Sequence, residues 1–202
     1  MFGFFKRAGP ARASTRPGDS AAKQLVPRIK HVNFVKALQA RGLPPEALPA
    51  VTPLCGELLV TYAFDRPDGF VMANAGLLAD AGVAPQDVAR IAADNLKQRT
   101  PELSVVVKDG FRAAVTGGEL EAALLVIDEF WTSIVQPKLP GPIVAAAPRR
   151  DRLLMCDGND AQALAAMVEQ ARRFFAESTD EHALSTQLML RSGSGWSLWG
   201  SS

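Results

Sequence analysis

The chain has 202 residues, 48% hydrophobic and 21% charged, a balance that excludes the collagen-like, disulfide-scaffold and fully disordered classes. At this length about 70% of the surface of the extended chain can be buried on folding, enough for one large domain or two packed halves without a metal or disulfide staple. The net charge of +1 conceals an asymmetry, because residues 1–30 carry Lys6, Arg7, Arg12, Arg16, Lys23, Arg28 and Lys30 against Asp19 alone, leaving 15 basic and 20 acidic residues in the remainder.

Pro10, Pro17, Gly9 and Gly18, spaced by Ser and Ala, describe residues 1–24 as a basic flexible leader. Contact of that leader with nucleic acid or an anionic membrane surface is the alternative reading. Phe2, Phe4 and Phe5 form too short an apolar cluster for a secretory signal, and an Arg-rich transit peptide is a further alternative. No apolar run approaches the roughly 18 residues of a membrane span. Cys55 and Cys156, far apart in sequence, read as buried thiols of a reducing compartment, so the expected location is cytoplasmic.

Val26, Ile29, Val32, Phe34, Val35 and Leu38 recur near helical spacing and predict an amphipathic helix from about residue 26 to Ala40, stopped by Gly42 and Pro44-Pro45. Alternation from Glu57 to Phe64 predicts a strand, and Pro67-Asp68-Gly69 a tight turn that returns Phe70–Ala73 antiparallel to it. Pro85 opens a helix marked by Val88, Ile91, Ala92 and Leu96, and Thr100-Pro101 closes it. Leu103, Val105 and Val107, then Asp109-Gly110, then Phe111, Ala113 and Val115 form the clearest hairpin. Thr116 and Glu119 have capping-box spacing before a central helix over 119–135, whose stripe is Leu120, Ala123, Leu124, Ile127, Trp131 and Ile134. Strands at 143–147 and 153–156 flank Pro148-Arg149-Arg150-Asp151. Asn159 or Asp160 caps a helix through Leu164, Met167, Val168, Ala171 and Phe175. Gln187–Arg191 and Trp196–Trp199 flank a last turn, Ser192-Gly193-Ser194-Gly195.

These elements predict an α+β fold of two similar halves, each in the order helix, hairpin, helix, hairpin, over residues 25–118 and 119–202, packed as one globular unit. Shared patterning around the Pro67–Gly69 and Pro148–Asp151 turns is compatible with an internal duplication or with convergent turn chemistry. Two mainly antiparallel half-sheets, with helices on one face, would meet at a central crevice, where ligands commonly bind.

Leu25-Val26-Pro27-Arg28-Ile29-Lys30, Gly56-Glu57-Leu58-Leu59-Val60 with Tyr62 and Asp65, Ala93-Asp94-Asn95-Leu96, and Pro148-Arg149-Arg150-Asp151-Arg152-Leu153-Leu154 resemble the bacterial YtpQ-like family over residues 25–199. The motifs are mostly strand and helix patterning. The family is a domain of unknown function, so the resemblance implies homology and carries over no active site.

Cys55, Cys156, His31 and His182 lack the close spacing of a zinc site, and no cofactor or metal is expected. Gly117-Gly118 and Gly193-Ser194-Gly195 match no phosphate loop. Ser133 and Ser185, with His182 three residues from the latter, read as turn or capping residues before nucleophiles. Asp128 and Glu129 diverge by about 100° on a helix and read as a solvated face, with metal or acid/base work alongside Asp65 or Asp68 as the alternative. Arg149, Arg150 and Arg152 around Asp151 are the candidate anion-binding turn, against the alternative of a solvated turn with a local ion pair. Trp131, Trp196 and Trp199 are the candidate interface aromatics; Trp196 and Trp199, three apart in a strand, face opposite ways.

The expected function is that of a non-catalytic cytosolic binding or interaction protein for an unknown protein or a small anionic ligand. The alternative is a small hydrolase or transferase with the arginine turn as an anion clamp. Convergence of these arginines with Asp65, Asp68 or Glu129 in one recess would favour the enzyme, and dispersed positions the binding protein.

Overall fold

A computed structural model describes residues 21–67, 69–178 and 182–200. Most of the predicted leader and Asp68 of the first turn lie outside these residues. The fold is a mixed α+β architecture with two antiparallel sheets. The first sheet pairs β1 (Leu25–His31) with β3 (Leu58–Arg66), whose other edge takes β2 (Val51–Cys55) and then β4 (Gly69–Met72). The second holds six strands in the order β10 (Gly195–Leu198), β9 (Met189–Ser192), β7 (Ile143–Arg149), β8 (Arg152–Asp157), β6 (Phe111–Val115), β5 (Ser104–Lys108).

The first expectation to fail is the helix at residue 26. Residues 25–31 form β1, and only Asn33–Ala40 is helical, as α1. Burial is the reason: residues 25–30 are all buried where they pair with β3, whereas the first turn of a helix would have tolerated Pro27. In β1 it costs nothing, because Tyr62 opposite it turns its carbonyl to the other edge of β3, accepting from Ala73 at 2.8 Å, so Pro27 owes β3 no donor.

Helix α2 (Ala75–Asp80) was not expected; Asn74 caps it by accepting from the Leu77 N–H at 2.9 Å. Helix α3 (Val88–Arg99), entered through a 3-10 turn at Pro85–Asp87, matches its prediction and buries Val88, Ala92 and Leu96. Asn95 on α3 donates to the carbonyls of Ala22 and Leu25, both at 2.8 Å, so residues 21–24, assigned to the leader, are tied to the body.

The β5–β6 hairpin turns at Asp109 (φ 50°) and Gly110 (φ 85°), the positive pair that Asp-Gly suits. It belongs to the first half by sequence, yet β6 pairs with β8, giving sheets of four and six strands instead of two of four. Phe111 and Ala114 are buried in cores on opposite faces of β6.

Alternation sets the layers. Ile143, Ala145, Ala147, Leu153 and Met155 face a large core shared with the first sheet, α2 and α3. Val144, Ala146, Leu154 and Cys156 face a smaller core under α4 (Ala161–Ala176), capped by Asp160, which accepts from the Ala163 N–H at 2.9 Å.

The predicted central helix is broken. It comprises a 3-10 turn at Ala122–Val126, a π-helix at Phe130–Val135 and a 3-10 turn at Gln136–Lys138. Two indoles explain the break: Trp131 Nε1 donates to the Leu124 carbonyl at 2.8 Å, and Trp196 Nε1 to the Leu125 carbonyl at 3.0 Å. Those acceptors would otherwise serve a continuous helical ladder. The expected capping box at Thr116 and Glu119 is replaced by Glu121, whose carboxylate accepts from the N–H groups of Thr116, Gly118 and Leu120.

Candidate functional site

The β7–β8 turn separates the three arginines instead of aiming them together. Asp151 binds Arg149 Nε and Arg152 Nη1, each at 3.0 Å, and Arg152 also lies over the Phe174 ring. Burial alone would raise the Asp151 pKa, but the Arg149 hydrogen bond and the charges of Arg152 and Arg149 outweigh it and hold it below the usual carboxylate value. For Arg149 and Arg152 the local ion pair prevails.

Arg150 points elsewhere. Its Nη2 reaches Glu119 Oε1 at 3.1 Å, while its Nε is buried and makes no hydrogen bond among the described residues. It lines a cavity of about 380 Å³ with Arg28 and Lys30 of β1, Phe34 of α1, and Phe70 and Met72 of β4. The register of the first sheet produces this wall: pairing of Arg28 with Thr61, Ala63 with Met72 and Asp65 with Phe70 puts Arg28, Lys30, Phe70 and Met72 on one face, away from the large core. Arg28 and Lys30 are only 4% and 9% exposed. The Arg28 guanidinium lies 3.9 Å from the Phe70 ring centre, and the Lys30 ammonium 4.7 Å from that of Phe34.

Glu119 joins the two sides. It adopts φ 80°, an uncommon conformation for a residue with a Cβ, following Gly117 and Gly118 at φ 95° and 110°. Its carbonyl accepts from Arg28 Nη1 at 3.1 Å while its carboxylate holds Arg150. The cavity therefore lies between residues 25–118 and 119–202, walled by three cations, two phenyl rings and a thioether. Sequence reasoning found Arg150 but missed Arg28 and Lys30, which it counted as part of the basic N-terminal charge. Their i, i+2 spacing within an apolar strand was the available signal.

A second recess, about 340 Å³, lies at the seam between the sheets, where Pro27, Thr52 and Tyr62 face Leu125, Asp128 and Trp196. Tyr62 and Thr52 share a hydroxyl hydrogen bond at 3.2 Å within its wall.

The remaining candidates scatter. Asp65 pairs with Arg99, Asp128 with Arg191, and Glu129 with Lys97 at 3.3 Å, so neither Asp65 nor Glu129 lines the arginine cavity. Ser185 donates to Glu57 at 2.7 Å and accepts from the Gln187 N–H at 3.0 Å, which ties the chain before β9 to the β2–β3 turn. Trp131 is 1% exposed and packs edge-on against Phe130 and Trp196, so its assignment as an interface residue is corrected to a core role. Trp196 and Trp199 are half-buried and do face opposite ways, the first onto the large core and the second onto the small one. Cys156 is buried, which pushes its thiol up to about 11, with Asp160 and Asp157 adding to the shift. Among the described residues no group of three or more His, Cys, Asp or Glu side chains is arranged to hold a metal ion, and no helix is long and apolar enough to cross a membrane.

No family model, curated protein or solved structure matches this chain. Functional inference therefore rests on the cavity itself.

Proposed function

We propose that this is a cytosolic, non-catalytic binding protein whose ligand is a small anion, held in the cavity of Arg28, Lys30 and Arg150. One observation carries the reading: two cations from a strand of the first sheet and a third from a turn of the second line one recess, and none of its described lining residues is acidic, Glu119 reaching Arg150 from beside it. Cationic side chains are rarely buried without a role, and three around one concavity raise its potential towards anions. The guanidinium forks suit carboxylate or phosphate oxygens, and Lys30 adds a compact third charge. Membership of the YtpQ-like family is part of the same proposal and contributes no site residue.

Calorimetric titration with inorganic phosphate and with citrate tests it. Binding should be measurable at low ionic strength, weaken with salt, and fall about tenfold or more in Arg150→Gln, the scale of a lost charge-assisted hydrogen bond. Arg152→Gln, whose side chain is committed to Asp151 and Phe174, should bind like the parent. Binding of neither anion, or equal binding by Arg150→Gln, would overturn the proposal.

A further inference from the structure

Arg150 reaches the cavity with half of its fork in use. Nε and Nη2 are the two donors along one edge of a guanidinium, the edge that can take both oxygens of a carboxylate side by side. Here Nη2 meets Glu119 Oε1 at 3.1 Å, while Nε is buried and makes no hydrogen bond among the described residues. A buried donor without a partner is destabilising, and an anion that engaged both nitrogens would remove that cost.

Glu119 itself stands in a conformation that a residue with a Cβ disfavours. Its φ is 80°, and the two residues before it, at 95° and 110°, are the glycines that such a path normally selects. The path is held from elsewhere: the buried Glu121 carboxylate accepts from the N–H groups of Gly118 and Leu120, both at 3.1 Å, on either side of Glu119. A third glycine would suit this backbone better. What the glutamate adds is a carboxylate beside the cavity, on a side chain that is 49% exposed and so has space to swing away from Arg150.

We propose that this carboxylate is a built-in competitor for the cavity, holding Arg150 until a ligand with two or more anionic groups displaces it and takes both Nε and Nη2. The inference rests on the anion site proposed above, and adds the class of anion and its control. Tethering decides the class. A carboxylate carried on the chain beside Arg150 acts at an effective concentration of about millimolar or more, so a ligand with a single carboxylate of similar affinity loses to it below that range. A ligand whose other groups engage Arg28 and Lys30 presents its last group to Arg150 on equally intramolecular terms. It also gains the second prong that Glu119 leaves unused. Only the glutamate side chain has to move, because Glu121 pins the backbone and the Glu119 carbonyl stays with Arg28.

Calorimetric titration with citrate, and with acetate as the single-group control, tests the exchange. Citrate should bind the parent about a hundredfold or more tighter than acetate. Glu119→Gln should tighten citrate binding about fivefold, the scale of a half-exposed ion pair. Glu119→Gly, which suits the positive φ and leaves no side chain, should gain at least as much while remaining folded. In an Arg150→Gln background the gain from Glu119→Gln should vanish, which a general change of charge near the cavity would not produce. Citrate that binds neither the parent nor either Glu119 variant removes the anion site and this inference together. Arg150-dependent citrate binding that neither Glu119 variant tightens, a gain that survives Arg150→Gln, or acetate binding within about tenfold of citrate would overturn the exchange and leave the anion site standing.

Discussion

Asp151 shows how a turn residue predicted to be chemically interesting acquires a structural duty. Its two oxygens bridge Arg149 and Arg152, and its pKa lies below the usual carboxylate value because those cations outweigh burial. A folded-state pKa below the unfolded one means that the native protein binds its proton less readily. The resulting stabilisation is complete above the unfolded-state pKa and disappears as pH falls through the folded one. Asp151→Asn should therefore be less stable than the parent at neutral pH, and the gap should close below the carboxylate range. Urea denaturation at several pH values measures it; a gap that is independent of pH would assign the contribution of Asp151 to something other than its charge. Arg150, one residue earlier, was grouped with Arg149 and Arg152 by adjacency. Alternation at the strand end and the pull of Glu119 send it instead to the wall formed by Arg28 and Lys30.

At the scale of elements, local rules served well where the local signal was complete. Asp109-Gly110 produced its turn, Pro85 its helix entry and Asp160 its cap. Asp160→Ala removes the acceptor for the Ala163 N–H at the start of α4, and should cost about 1 kcal/mol, the usual value for such a cap. Thermal and urea denaturation read this directly, and Asp160→Asn, which keeps an acceptor, should recover most of it. Local rules failed where two patterns overlapped. Spacing over 26–38 satisfies a helix, yet residues 25–30 are buried on both faces of a strand that runs to His31. The 119–135 stripe was too narrow a description, since Ala122, Ala123, Leu124 and Leu125 are all buried in succession. A segment apolar on every side has no face from which periodicity can be read.

For the whole molecule, the six-stranded sheet is the common wall of both cores, so the two should not unfold separately. Denaturation followed by tryptophan fluorescence and by far-ultraviolet dichroism should give coincident transitions, as expected of one cooperative unit. Trp131, buried in the large core and bonded to Leu124, is its largest fully buried side chain. Trp131→Ala should lower stability by about 3–5 kcal/mol through lost packing and a residual cavity. Trp199→Ala, at the margin of the small core, should cost clearly less, and the same denaturation curves compare the two.

The amino-acid sequence by itself determined the mixed α+β class, the four hairpins and the helices at 88–99 and 161–176, because turn chemistry, caps and side-chain periodicity act within a few residues. Only the tertiary structure decided that β6 joins β8, that indoles interrupt the central segment, and that Arg28, Lys30 and Arg150 share a recess. Arg112 opposite Met155, Trp196 on the Leu125 carbonyl, and Arg150 beside Arg28 are all meetings of groups distant in sequence, and such meetings are set by which surfaces must be buried together, not by local spacing.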